Sequence, residues 1–251
     1  MKLAVLLVAV AACSSGGGGD DYPVGPGGSG PPIRGGTGGA IDAGVDGGDG
    51  GVMLTGRVCV LDDLRDLGKV ALCATTTAGG LNVSLDGKTA KTSVDGTFVI
   101  GAPTSSAPFW KIDSGNAGTL VTTFAPLGVD TLIPAITTDR WTQIQAGSTL
   151  TLGDNAGSII VRVTRAGAPL AGVTATSAPV AGFDTRYDGT DKDIWGIDRT
   201  GAQGLVWIPG VQVMPNGMPI GATVTFNAGA APVPMVTTVW DQAITFVSKA
   251  L

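Results

Sequence analysis

The chain has 251 residues with 41 Gly, 15 Pro and 3 Cys, and 15 basic residues against 20 acidic ones leave a formal charge of −5. Every acidic residue is Asp and there is no His, which removes the side chains behind most acid–base and zinc chemistry. No Lys/Arg cluster is present to grip phosphates, so nucleic acid is excluded as a partner, and the length allows one large domain or two small ones.

Met1 and Lys2 form a short basic start, Leu3 to Ala12 is an unbroken apolar run of ten residues, and Val10-Ala11-Ala12 stands directly before Cys13. Ten helical residues rise about 15 Å, half of a ~30 Å hydrocarbon core, so the run reads as the h-region of a signal peptide and not as a membrane span. Val10-Ala11-Ala12-Cys13 resembles the lipobox of bacterial lipoproteins at every position. The resemblance implies a signal peptide over residues 1–12, a diacylglycerol on the Cys13 sulfur, cleavage before Cys13 and acylation of the new amino terminus. An ordinary secretory signal with an incidental Cys is the alternative. Several acyl chains hold a protein essentially permanently, so the membrane is the expected partner, through the lipid anchor. Ser14, where Asp would tend to retain a Gram-negative lipoprotein on the inner membrane, implies export to the outer membrane, facing the periplasm or the surface.

From Ser14 to Gly51 the composition breaks: 17 of 38 residues are Gly and almost nothing is large and apolar. Such a segment cannot bury enough surface to offset its backbone entropy, so residues 13–51 are expected to be a disordered tether of very roughly 35 Å. The Asp/Gly run from Asp42 through Asp46 to Asp49 lacks the fixed ligand spacing and packed scaffold of a calcium loop, and it reads as solvated spacer.

Val52 to Leu251 is rich in Val, Thr, Ile and Ala, a composition that suits strands. Leu81, Val83 and Leu85 alternate with polar residues before the turn Asp86-Gly87, and Phe98 and Ile100 follow Asp95-Gly96 in the same period. Ile159, Val161 and Val163, then Val173 and Ala175, alternate likewise. Only Thr138 to Gln145, behind an N-cap candidate, predicts a helix. The expected fold is all-β, with two small immunoglobulin- or transthyretin-like sandwiches, at 52–147 and 148–251.

Both halves resemble carboxypeptidase regulatory-like domains, which are small transthyretin-like sandwiches. The second half carries Gly157-Ser-Ile-Ile-Val161, Pro169-Leu-Ala-Gly-Val173 and Thr200-Gly-Ala-Gln-Gly204 leading into Leu205-Val-Trp-Ile-Pro209. The first half carries Gly56-Arg-Val58, Leu81-Asn-Val-Ser-Leu-Asp-Gly87 and Thr92-Ser-Val-Asp-Gly96 leading into Thr97-Phe-Val-Ile100. Gly79-Gly80 replaces the Pro-Leu-Ala-Gly element in the first half, and about twenty residues from Ala178 to Arg199 are inserted in the second. The resemblance implies a non-catalytic accessory module and brings no active-site residues.

Three catalytic signatures fail on inspection. Gly87-Lys88-Thr89 ends like a phosphate-binding loop, but position 82 is Asn where that loop needs Gly. Asp113-Ser114-Gly115 has no second copy to share a proton as in aspartic proteases. No Gly-x-Ser-x-Gly occurs, and no His could activate a Ser. Neither a cofactor nor a bound metal is expected.

Cys59 and Cys73 remain once Cys13 is assigned to lipid, and in an oxidising compartment an even pair favours a disulfide over a metal site or a reactive thiol. It would contribute on the order of 3 kcal/mol by closing a loop of about fifteen residues. The inserted stretch gathers Asp184, Tyr187, Asp188, Asp191, Asp193 and Trp195 beside Phe183 and Asp198. Aromatic faces with carboxylates beside them can bind sugars or a protein partner. Equally, the stretch can be an elaborated hairpin whose aromatics pack on its own base while its Asp residues are solvated and matter little to stability. The expected function is therefore that of an outer-membrane or cell-surface lipoprotein serving as a non-catalytic structural or binding module with a protein or glycan partner. The alternatives are a carbohydrate-binding adhesin and a metal-assisted hydrolase using the Asp-rich loop 184–198.

Overall fold

A computed structural model describes residues 52–69, 73, 78–128, 132–229 and 231–251. Cys13, the signal-like run and the Gly-rich segment through Gly51 lie outside the described residues. The described residues belong to one compact unit. Its first half holds β1 (Met53–Leu61), β2 (Asn82–Leu85), β3 (Lys88–Lys91), β4 (Thr97–Gly101), β5 (Phe109–Asp113), β6 (Thr123–Pro126) and β7 (Leu132–Ile136). After the helix α1 (Thr138–Gly147), the second half holds β8 (Ala156–Arg165), β9 (Ala168–Pro169), β10 (Thr174–Ala178) and β11 (Arg186–Tyr187). It ends with β12 (Leu205–Gln212), β13 (Ile220–Asn227), β14 (Val233–Val239) and β15 (Ile244–Ala250). The described residues are all-β apart from α1 and short 3-10 turns.

Local chemistry explains the hairpins and the helix. Asp86 and Gly87 take φ of 52° and 79° between β2 and β3, the left-handed pair that a two-residue hairpin turn needs to match strand twist. The Asp86 carboxylate accepts from the backbone N–H of Thr104 and of Ser105, and these bonds pull its pKa to about 2. Thr137 caps α1, its hydroxyl accepting from the Arg140 N–H at 3.2 Å.

The two halves repeat one topology. β1 lies between β4, antiparallel, and β7, parallel; β8 lies between β12, antiparallel, and β15, parallel. The facing sheets run β2-β5-β6 and β10-β13-β14, antiparallel throughout. A buried threonine marks the repeat. The Thr92 hydroxyl accepts from Leu81 N–H and donates to the Ala78 carbonyl, while Gly80 N–H reaches the Thr92 carbonyl and Thr92 N–H the Leu81 carbonyl. Thr200 does the same in the second half with Val173, Leu170, Gly172 and Val173 again. Four residues beyond each threonine stands a glycine at positive φ, Gly96 at 81° and Gly204 at 65°, where a Cβ would meet the carbonyl oxygen of Val58 or of Val163 at 2.6 or 2.5 Å. The Thr-x-x-x-Gly spacing shared by the two halves of the sequence is thus one structural device used twice.

Each half has its own sandwich core. In the first, Val58 and Val60 of β1, Phe98 of β4 and Ile133 of β7 meet Val83, Trp110 and Ile112 of the facing sheet, with Phe98 edge-on to Trp110 at 5.4 Å. In the second, Ile159, Val161 and Val163 of β8 meet Val173, Val224 and Phe226. The opposite face of β8 and β12 is buried too: Ile160, Leu205 and Trp207 lie with Trp141 and Ile144 of α1 in the first core cluster. Burial on both faces is why Ile159-Ile160-Val161 runs apolar without alternation.

The halves join edge to edge. β15 pairs in parallel with β6 through Ile244↔Thr123 and Thr245↔Phe124, making one sheet in the order β11-β12-β8-β15-β6-β5-β2-β3, with β9 on β8. The sheet therefore runs across the 147/148 boundary, which falls at the end of α1. Counting along the ladders from the paired threonines, Val83–Ile112–Thr123 matches Ala175–Phe226–Val233, so Pro234 stands where Phe124 stands. β14 is an edge strand, and Pro232 and Pro234 have no N–H to offer a further strand.

Cys59 of β1 is bonded to Cys73 across a separation of 14 residues, with a Cα–Cα distance of 4.8 Å. The predicted disulfide is present.

Candidate functional site

The inserted stretch from Gly182 to Asp198 is a strap that folds back on itself, Tyr187 and Gly196 exchanging backbone hydrogen bonds of 2.9 and 3.0 Å. Within it β11 pairs with β12 through Arg186↔Trp207 and Tyr187↔Val206. Three of the six residues singled out as a binding loop are buried. Tyr187 reaches into the second core, its hydroxyl accepting from Ala175 N–H at 2.9 Å and donating to the Ala175 carbonyl at 3.3 Å. Burial pushes the Tyr187 pKa up, against the opposing pull of the Ala175 bond. Trp195 turns inward and packs edge-on against Trp207 at 5.8 Å, while Trp141 of α1 covers Trp207 at 4.9 Å. The Trp207 Nε1–H donates to the Ser158 hydroxyl at 3.1 Å.

Asp188 is 4% exposed, which corrects the expectation of a solvated loop charge. One carboxylate oxygen accepts from Gly201 N–H at 2.9 Å and Leu205 N–H at 2.8 Å, the other from Gln203 N–H at 2.8 Å. Nothing local in the sequence marks Asp188, because its three donors lie 13 to 17 residues downstream. Asp191 is exposed and accepts from Asp193 N–H at 2.8 Å, a local turn bond. Asp193 forms an ion pair with Arg140, whose own side chain is only 5% exposed. Asp184 is exposed.

Arg140 is the hub that fastens the strap. Its guanidinium also donates to the Asp62 carbonyl just after β1, to Gln143 Oε1 at 3.0 Å and to the Lys192 carbonyl at 3.4 Å. Lys192 returns to the Asp62 carboxylate at 2.7 Å, and Arg65 reaches the Thr190 carbonyl. Arg65 itself is held by Asp63 at 2.6 Å; burial raises the Asp63 pKa, but the Arg65 hydrogen bonds and charge outweigh it and hold the carboxyl below its usual range. Gly147 lets the strap approach α1, since a Cβ there would meet the Asp193 carbonyl oxygen at 2.4 Å. The strap is a clasp between the halves, and Asp193 is the carboxylate that spans them. Among the described residues, no three His, Cys, Asp or Glu side chains are grouped to hold a metal ion.

A second feature lay outside the sequence reading. A cleft of about 750 Å³ opens at the seam of the two halves, bounded by α1, the loop before β8, the β14–β15 turn and the outer face of β5 and β6. Trp240 forms one wall, stacked on Phe124 at 3.8 Å with 5° between the planes and contacted edge-on by Phe109 at 4.9 Å. Polar side chains surround it: Gln145 from α1, Asp154 from the loop, and Asp241 and Gln242 from the turn. Gln242 Nε2 donates to Asp154 at 3.3 Å, whereas Asp241 Oδ1 is shielded from solvent and accepts no hydrogen bond from the described residues. No local pattern could have found the site, because its residues come from six separate segments.

No protein family and no curated protein sequence matches the chain. Among solved structures, GBS52, the minor pilin of the Gram-positive pathogen Streptococcus agalactiae, is similar at 11% identity and a TM-score of 0.27. The match covers 64% of this chain and 66% of that one, so the chain spans just under two thirds of the pilin's length. At that TM-score the likeness carries no argument about function.

The motifs dismissed from the sequence fall in structural turns. Gly87-Lys88-Thr89 sits in the β2–β3 hairpin, away from any helix N-terminus. Asp113 accepts from Asn82 at 2.8 Å and Gly115 N–H at 2.9 Å, closing a turn. Burial raises the Asp113 pKa, but bonds from Asn82, Gly115 and Lys111 outweigh it and keep the carboxyl ionised.

Proposed function

We propose that the chain is a lipid-anchored protein of the bacterial cell envelope whose tandem sandwiches act as a non-catalytic structural or binding module. The observation that carries this reading is the Cys59–Cys73 disulfide, formed in a body that follows the sequence Val10-Ala11-Ala12-Cys13. Disulfides persist in oxidising compartments, and a lipobox delivers a chain to one. The lipid on Cys13 and the Gly-rich tether would hold the sandwiches off an outer-membrane surface. Kinship with carboxypeptidase regulatory-like domains belongs to the same proposal, supported by the motif threonine, which takes the same buried place in both halves.

The hydrolase reading needs the strap carboxylates free to hold a metal, but Asp188 and Asp193 are engaged in folding contacts. The adhesin reading cannot use Tyr187 or Trp195, which are buried.

The test is metabolic labelling with palmitate followed by envelope fractionation. The wild-type chain is expected to carry label and sediment with outer membranes, and Cys13→Ser to lose both. Label that persists on Cys13→Ser, or a wild-type chain that is unlabelled and soluble, would overturn the proposal.

A further inference from the structure

We propose that the seam cleft binds a short neutral saccharide. This deepens the binding-module reading without depending on the anchor, since the cleft belongs to the folded body alone. At about 750 Å³ the space lies in the range of small-molecule sites, which favour the junction between two units.

The wall suits a sugar ring. Pyranose C–H groups pack on a flat, electron-rich aromatic face, and the indole of Trp240 is held in place by parallel contact with Phe124 and edge contact with Phe109. A preorganised ring loses little entropy when a ligand arrives.

The polar lining suits hydroxyl groups. Each sugar hydroxyl both donates and accepts, so it is best met by a mixture of carboxylates and amides. Asp154 and Asp241 supply acceptors and Gln145 and Gln242 supply both functions.

Charge decides against an anion. Among the described residues Lys111 is the one cation on the lining, and its ammonium already pairs with Asp113 at 3.2 Å. Two carboxylates then face the ligand without a free positive partner, which repels phosphates, nucleotides and acidic sugars. A simple cation would leave the Gln145 amide donor unmatched.

The experiment is calorimetric titration and saturation-transfer NMR on the full chain, purified in a polyoxyethylene detergent that has no sugar headgroup. The probes are cellobiose, maltose, mannobiose and N,N′-diacetylchitobiose, with glucose 6-phosphate as the anionic control. At least one neutral disaccharide is expected to bind at millimolar Kd or tighter. Asp241→Asn and Trp240→Phe should each weaken it about tenfold or more with the melting temperature little changed. Asp184→Asn, on the exposed strap, should leave it unchanged. Absence of binding by all four disaccharides, equal affinity for glucose 6-phosphate, or full affinity in both cleft variants would overturn the proposal. Because anchoring is read by fractionation and the cleft by titration, the two can fail separately.

Discussion

Asp188 shows how one side chain can organise a long loop. Its two oxygens take three backbone N–H groups from Gly201, Gln203 and Leu205, a stretch leading into β12 whose donors would otherwise be buried without partners. Gly201 is required by the same fit, since a Cβ there would meet the Asp188 carbonyl oxygen at 2.5 Å and its carboxylate at 2.9 Å. Asp188→Asn keeps the volume but turns an amide NH2 toward at least one of these donors. The loss of charge-assisted bonds should cost about 2–4 kcal/mol, a fall in melting temperature of roughly 5–15 °C in a chain of this size. Asp184→Asn, on an exposed neighbour, should stay within about 0.5 kcal/mol. Thermal unfolding followed by circular dichroism checks both, and equal stability of the two variants would show that Asp188 is not the organiser. Its composition marked the strap as unusual, yet the Asp that matters cannot be told from its neighbours in the sequence. What separates them is which backbone donors the fold brings near.

At the scale of elements, much was legible because the signals are local. The alternation at Leu81–Leu85 is β2, the β-branched run at Ile159–Val163 is β8 with both faces buried, Asp86-Gly87 is a hairpin turn, and Thr138 onward is α1. The recurring Thr and Gly motif marked a repeat because each copy solves its own backbone problem within the half that contains it. The clasp was not legible: Arg140 reads as an ordinary surface position on a short helix, and its partners Asp62 and Asp193 lie 78 and 53 residues away along the chain. Removing its guanidinium takes away the strap's ion pair with α1 and one of its bridges to the segment after β1, leaving the Lys192–Asp62 and Arg65–Thr190 contacts in place. Arg140→Ala should therefore speed amide exchange at Gly189 to Gly196 by tenfold or more while β12 stays protected by its ladder to β8. Arg140→Lys should restore little, since an ammonium cannot span the Asp62 carbonyl, Gln143 and Asp193 together. Hydrogen exchange read by mass spectrometry gives the answer, and unchanged strap protection in Arg140→Ala would mean that Trp195 with the Lys192 and Arg65 contacts holds it without Arg140.

For the molecule as a whole, the question is whether two repeated sandwiches behave as two folding units or one. Their separate cores and shared topology favour independence, because each half satisfies its own ladders and its own buried threonine. The seam argues the other way. β15 belongs to the second half yet pairs with β6 of the first, and Ile160, Trp207, Ile244 and Phe246 of the second half sit in the same apolar cluster as Val58 and Trp110 of the first. Side chains buried at such a boundary contribute about 1.5–3 kcal/mol each when fully removed from water, so four of them, about 6–12 kcal/mol together, are comparable to the whole stability of a marginal domain. Pro232 and Pro234 remove two N–H donors from the matching edge of β14. Scanning calorimetry of the body should therefore show one transition with calorimetric and van't Hoff enthalpies in agreement. A chain ended after Gly147 should lack that transition, since it exposes Trp141, Ile144 and the β6 edge together. Two resolved transitions in the intact chain, or cooperative unfolding of the truncated one, would establish the halves as independent domains and make the seam cleft a hinge instead of a fixed site.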